Sequence, residues 1–155
     1  MAGHQRSARI LCVRFAEQLL DAECPGNADR DAVVVAAASV LNGFHEALTP
    51  MVGSAGYEVL LGRATILVAR RYEGLGPLAT GYAEPPTREE MEAALPDEAA
   101  AARGVAAALV CEMLSYMARL LDWPLALSLL RPRWPAVVDR YDAGDFDDPP
   151  SPPRG

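Results

Sequence analysis

His45 and Glu46 match the first two residues of the H-E-x-x-H signature of zinc proteases. In that signature, two histidines one helical turn apart bind zinc while the glutamate activates a water molecule. Here the position of the second histidine is taken by Thr49, and Pro50 follows it. The other histidine of the chain is His4, close to the N-terminus. The sequence therefore predicts no metal site and no catalytic residue in this segment.

Gly53 and Gly56 enclose the segment GSAG, which stands just before an expected helix. The free amides at a helix N-terminus can hold a phosphate. Known phosphate loops follow a strand, however, and one class of them ends in lysine. This segment follows a helix and a proline instead, so we interpret its glycines as a tight turn with close helix contact.

The basic residues are all arginine, and the chain contains no lysine. The absence of lysine excludes a Walker-type phosphate lysine, a Schiff base with pyridoxal phosphate and a lysine general base. No other cofactor fingerprint occurs, so we predict no cofactor. The abundance of alanine, glycine and proline is typical of a GC-rich bacterial genome.

Charge and cysteine content limit the partners and the compartment. The formal net charge of −7 argues against nucleic-acid binding, which depends on clustered cations. The cysteines, Cys12, Cys24 and Cys111, form no CxxC pair, and their odd number does not indicate a disulfide framework. The N-terminus lacks the pattern of a signal peptide, and the longest uncharged stretches are shorter than a membrane span. We therefore expect a cytoplasmic protein with no nucleic-acid and no membrane partner.

The elements that would position these residues are helices. Alanine and leucine dominate the apolar residues, and apolar positions recur with helical spacing. We predict an all-α fold, a compact bundle of about five to six helices in a single domain over residues 7–141. Residues 1–6 are expected to be a flexible N-terminus, and residues 142–155 a disordered, acidic, proline-rich tail. The predicted helices cover 7–22, 29–48, 54–72, 87–95, 97–122 and 123–130.

Two interpretations of His45 follow from this arrangement. Pro50 is expected to end the second helix, because proline disfavours helical geometry at the preceding Thr49. His45 then lies in the last turn, where its ring can donate to free carbonyl groups. Alternatively, it faces a pocket between helices.

Such a pocket has four candidate residues for binding a small molecule, and it requires a lid. The connection 73–86 is long and rich in glycine and proline, as expected of a packed crossover or a binding element. If it closes over the helices, the pocket is lined by His45, Tyr57, Tyr82 and Trp123.

Three functions are therefore weighed. We expect a small helical protein-interaction or regulatory module that contacts a protein partner, or itself as a homodimer, through a helix face or the acidic tail. The alternative is a small-molecule-binding sensor with a pocket between helices, and an enzyme ranks third.

Overall fold

A computed structural model describes residues 2–24, 29–72 and 84–142 of the chain, with side chains for 12–24, 29–72 and 84–141. Over these ranges the secondary structure is helical and contains no strand. The predicted all-α bundle is thus confirmed. The helices are α1 (Ala2–Glu23), α2 (Arg30–Arg71), α3 (Arg88–Ala94), α4 (Ala99–Leu121), α5 (Trp123–Leu130) and α6 (Pro135–Asp142).

Helix α2 is the centre of the bundle and packs most extensively against α4, which in turn packs against α1. Alanines allow these helices to approach closely, and Ala36, Ala37 and Ala106 are at most 1% exposed. The largest fully buried side chains are Tyr57, Phe15, Phe44, Leu19, Leu20, Leu41, Leu48, Leu61, Met91, Leu109, Met113 and Leu114. Burial of this apolar surface is the main force that holds the helices together.

Pro50 does not end the second helix, contrary to the sequence-based expectation. Helical structure continues past it, and the break comes at Gly53, whose φ of 73° and ψ of 171° lie outside the helical region. Proline has no amide hydrogen, so the backbone hydrogen bond from position 50 to the carbonyl of Glu46 is absent. The burial of Leu48 before the proline and of Tyr57 after it offsets the loss of this bond. Glycine, by contrast, reaches a conformation that side chains avoid. The expected second and third helices are therefore two halves of α2.

Helix α6 was not predicted, although its sequence carries a helical signal. Trp134, Val137 and Val138 are buried, and Tyr141 packs against the same core. Their spacing of three, four and seven residues places them on one helix face. Pro135 stands at the first helical position, where its missing amide hydrogen costs nothing.

Hydrogen bonds and an ion pair connect the turn between α5 and α6 to helices α1 and α2. Trp134 Nε1 donates to Glu23 Oε1 at 3.2 Å, which ties the turn to α1. Arg133 Nη2 donates to Ser39 Oγ at 2.8 Å, and its Nη1 lies 3.7 Å from Glu46 Oε2, which ties the turn to α2. The position of α6 is thus set by both burial and hydrogen bonds.

The starts of α2 and α3 coincide with capping residues in the sequence. Thr87 and Glu90 form a capping box at the start of α3, the helix predicted over 87–95. Asp29 caps α2 by accepting a hydrogen bond from the amide of Ala32 at 2.9 Å. Arg30 donates to the carbonyls of Glu92, Leu95 and Pro96, which are left free where α3 ends.

Helices α2 and α4 each contain an 18-residue window long and apolar enough to cross a membrane. Half of each window is buried inside the protein. The core helix of a soluble protein passes the same test, so length and composition alone do not make either helix a membrane span.

Candidate functional site

His45 and Tyr57 lie against each other across the break in α2. Their ring centroids are 4.8 Å apart with an interplanar angle of 87°, an edge-to-face contact. Since the helix continues past Pro50, His45 is not in a last turn, and the capping interpretation is wrong. Its Nε2 atom is buried and finds no hydrogen-bond partner among the residues that the structure describes.

Tyr57 is fully buried and has a structural contact of its own. Its hydroxyl donates to the carbonyl oxygen of Leu41 at 3.1 Å, which joins the two halves of α2. Burial raises the pKa of the Tyr57 hydroxyl well above its ordinary value, because the charged phenolate would lose its hydration. Tyr57 is therefore a neutral, hydrogen-bonded core residue.

The remaining candidate pocket residues do not extend this pair in the described structure. Trp123 packs edge-to-face against Phe15 at 5.5 Å and against Tyr141 at 5.6 Å, where α1, α5 and α6 meet. Tyr82 lies outside the described residues. Of the three candidates within the described residues, the structure brings His45 and Tyr57 together and places Trp123 elsewhere.

A cavity of about 230 Å³ lies elsewhere, between α1, the C-terminal end of α2 and α4. Its walls come from three helices that are distant along the chain, so no local pattern in the sequence indicates it. Its lining residues are Val13, Glu17, Val68, Arg71, Tyr72, Gly104, Ala107, Ala108, Cys111 and Glu112. One signal in the sequence was Glu112, a charge within the apolar run of α4.

Glu112 is directed into the bundle rather than toward water. Its side chain is only 11% exposed, and its Oε1 atom lies 3.6 Å from Nη1 of Arg71, which is 53% exposed. A buried carboxylate is costly unless it is paired. The partly shielded ion pair at the cavity wall partly offsets that cost.

The second half of α2 presents an apolar stripe to solvent. Val59 is 60% exposed and Ile66 is 52% exposed. Ala55 and Ala69 are also exposed, and Gly62 between them is partly so. We call these five residues, 55, 59, 62, 66 and 69, the α2 stripe. The opposite face of the same half-helix carries Tyr57, Leu60, Leu61, Ala64, Thr65 and Val68, all buried.

Charged residues of opposite sign border the α2 stripe. Glu58 lies on one side, and Arg63 and Arg70 lie on the other. Arg63 Nε donates to the hydroxyl of Tyr116 on α4 at 3.4 Å, and its guanidinium lies over that ring at 5.5 Å from the centroid. Arg63 is thus held near the stripe by a neighbouring helix.

No group of three His, Cys, Asp or Glu side chains suited to hold a metal ion occurs within 12–24, 29–72 and 84–141. The cysteines Cys12, Cys24 and Cys111 are buried thiols. The geometry thus offers two features for function, the cavity and the α2 stripe.

Comparison with known proteins finds no matching family model, no similar curated protein and no similar solved structure.

Proposed function

We propose that this protein is a small helical interaction module that acts by self-association through the α2 stripe. The observation that carries the proposal is that Val59 and Ile66 are more than half exposed while the opposite face of the helix is buried. Val59 and Ile66 are seven residues apart and lie on the same face of the helix, so their apolar side chains together expose apolar surface to water. Pairing with the same stripe on a second copy would remove it.

The spacing of the α2 stripe supports a paired helix. Its intervals of four, three, four and three residues are those of a coiled-coil heptad, with Val59 and Ile66 at the a positions. The d positions hold Ala55, Gly62 and Ala69, whose small size lets two helices approach closely. The stripe is about 21 Å long, two heptads of helix.

The flanking charges favour a parallel over an antiparallel pair. Glu58 occupies a g position, and Arg63 and Arg70 occupy e positions. In a parallel pair, each Glu58 faces Arg63 of the other copy, since g and e flanks meet across the interface. In an antiparallel pair, the arginine flank of one copy would face the arginine flank of the other. Charge complementarity therefore selects a second, parallel copy of this chain.

Matched substitutions on α2 test the proposal. Val59→Glu places a charge in the α2 stripe, whereas Val35→Glu places the same charge at a valine that is 46% exposed on the first half of the helix. Light scattering over a concentration series should give a dimer for wild type and Val35→Glu, and a monomer of 16.6 kDa for Val59→Glu. Equal masses for the two variants at every concentration would overturn the proposal.

A second candidate function is that of a small-molecule-binding sensor. The observation that favours it is the cavity beside Glu112, which differs from the pocket predicted from His45, Tyr57, Tyr82 and Trp123. It requires no self-association, so ligand binding and molecular mass test the two functions separately.

A further inference from the structure

Two guanidinium groups gather at the ring of Tyr116 on α4. The guanidinium of Arg63 on α2 lies 5.5 Å from the ring centroid, and that of Arg119, almost one turn further along α4, lies 5.7 Å from it. The aromatic ring attracts each cation. The two cations repel each other, so a negative charge beside them would stabilise the arrangement.

Neither Arg63 nor Arg119 has a carboxylate partner within 12–24, 29–72 and 84–141. Both side chains are exposed. Asp122 is the acidic residue closest to Arg119 along the chain, but its Oδ1 atom caps α5 by accepting a hydrogen bond from the amide of Leu125. The chain as a whole has a net charge of −7, yet this part of its surface carries two positive charges without a counter-charge.

An exposed apolar side chain adjoins the two cations. Leu120 is 58% exposed and follows Tyr116 by four residues, so the two side chains are neighbours on the surface of α4. We call Arg63, Tyr116, Arg119 and Leu120 the Tyr116 patch. Carboxylates would neutralise its charges, and an aromatic side chain would cover its apolar part. The patch therefore suits an acidic segment that also contains an aromatic residue.

The sequence contains such a segment close to its C-terminal end. Asp145, Phe146, Asp147 and Asp148 place three carboxylates around one phenylalanine. We call these four residues the DFDD segment, and they lie outside the described residues. The charge of the DFDD segment is opposite to that of the Tyr116 patch.

Helix α6 brings the chain to the end of α4 that carries the Tyr116 patch. It ends at Asp142, and the ring of Tyr141 packs edge-to-face against Trp123 with the centroids 5.6 Å apart. Trp123 follows Arg119 by four residues. An extended chain covers up to about 3.5 Å per residue, so the six residues from Asp142 to Asp148 span as much as about 20 Å. The DFDD segment is therefore tethered near the patch, and tethering raises its effective concentration to the millimolar range.

We propose that the DFDD segment of this chain binds to the Tyr116 patch. Its aspartates pair with Arg63 and Arg119, and Phe146 covers Leu120 and the ring of Tyr116. Single exposed ion pairs contribute little, so the binding is reversible and depends on several charges together. The inference goes beyond the proposed function and does not depend on pairing through the α2 stripe.

Paramagnetic broadening of NMR signals tests this contact in the full chain. A nitroxide is attached at Ser151→Cys, since the native cysteines are buried and less accessible to the reagent. The nitroxide should reduce the intensity of the Leu120 methyl signals at least twofold relative to the same label in its reduced, diamagnetic form. At a salt concentration of about 1 M this loss should disappear, because the Debye length is then about 3 Å.

Matched arginine variants assign the loss to the Tyr116 patch. Arg119→Gln removes one positive charge from the patch, whereas Arg88→Gln removes the same charge at the exposed first residue of α3. The Leu120 methyl signals should recover at least half of the lost intensity in Arg119→Gln and none of it in Arg88→Gln. Equal broadening in the two variants, or no broadening in the labelled chain without these substitutions, would overturn the proposal.

The DFDD segment can be altered without touching the described bundle. The triple variant Asp145→Asn, Asp147→Asn and Asp148→Asn should restore the Leu120 signals as Arg119→Gln does, and it decides the question if the arginine variant does not fold. Broadening that persists in the triple variant would overturn the proposal, whatever the mass measurements show.

A mixed sample distinguishes binding within one chain from binding between copies. It contains equal amounts of spin-labelled chain and of isotope-labelled chain without the spin label. The Leu120 methyl signals of the isotope-labelled chain should keep their full intensity, because each DFDD segment occupies the patch of its own chain. Broadening of these signals in the mixture would overturn binding within one chain.

Discussion

A β-carbon on Gly43 would lie 2.4 Å from the Cη2 atom of Trp134. Helix α2 and the indole that precedes α6 therefore touch at a position where only glycine fits. Trp134 is 4% exposed and is held by Glu23 and by an edge-to-face contact with Phe44 at 5.7 Å, so it has little room to move. This contact fixes the last helix of the bundle to the first half of α2.

Gly43→Ala should lower the free energy of unfolding by about 1–3 kcal/mol, the usual cost of overpacking a core. Gly104→Ala is the control of opposite sign, because its new methyl group meets open space and improves helix propensity by about 1 kcal/mol. Urea denaturation of both variants measures the difference. A destabilising Gly104→Ala together with a neutral Gly43→Ala would show that these two environments are misassigned.

Gly53→Ala should destabilise the protein through the backbone alone. The φ of 73° and ψ of 171° at Gly53 lie in a region that is almost exclusive to glycine, while a β-carbon there would meet no atom within 4 Å. We expect a loss of about 1–3 kcal/mol in the free energy of unfolding. Ser54→Ala at the next, exposed position is the control. A Gly53→Ala protein as stable as this control would mean that α2 is not broken at Gly53.

Asp122 adopts the same unusual conformation, with φ 62° and ψ 164°, between α4 and α5. Its Oδ1 atom accepts a hydrogen bond from the amide of Leu125 at 3.0 Å and so caps α5. Asp122→Gly relieves the strain and loses little capping energy, whereas Asp122→Ala loses the cap and keeps the strain. In urea denaturation, the free energy of unfolding of Asp122→Gly should be about 1–2 kcal/mol higher than that of Asp122→Ala, and thermal unfolding should give the same order. The reverse order would contradict a strained cap.

Tyr57 gives the stability of the protein a dependence on alkaline pH. Because burial raises its pKa in the folded state, the unfolded chain releases the proton first, near the ordinary value of about 10. The neutral Tyr57 hydroxyl therefore contributes fully to the free energy of unfolding below pH 10. As the pH rises toward the pKa of the folded state, this contribution is lost, and the free energy of unfolding falls by up to about 1.4 kcal/mol per pH unit.

Comparison of wild type with Tyr57→Phe isolates this effect from that of the other tyrosines. At pH 7 the variant should be less stable by about 1 kcal/mol, because it lacks the hydrogen bond to Leu41. Above pH 10 the difference should shrink, since phenylalanine does not ionise. Urea denaturation at several pH values measures it, and a difference that stays constant up to about pH 11.5 would indicate an accessible Tyr57 hydroxyl.

Much of the fold is predictable from local signals. Alanine- and leucine-rich periodicity identified the helices, and Thr87 with Glu90 identified the start of α3. The continuation of α2 past Pro50 was not predictable from the sequence. The cost of a proline is local, whereas the burial that offsets it comes from residues on both sides. Helix α6 was missed although Trp134, Val137 and Val138 already show helical spacing.

The candidate sites were less accessible from sequence. The cavity depends on how α1, α2 and α4 meet, and no spacing along one helix encodes that. Apolar residues occur on both faces of the second half of α2. Periodicity alone therefore does not distinguish the buried face with Tyr57 and Leu61 from the exposed stripe with Val59 and Ile66. Only the packed structure separates the two faces.

Self-association through the α2 stripe is tested most directly by exchanging its flanking charges. Glu58→Arg and Arg63→Glu each place like charges across a parallel interface, so each variant alone should remain a monomer. Mixed in equal amounts, the two variants restore both opposite-charge pairs, and light scattering should show a heterodimer of the mass of the wild-type dimer. A mixture that stays monomeric while wild type dimerises, or single variants that dimerise as wild type does, would contradict parallel pairing through this face.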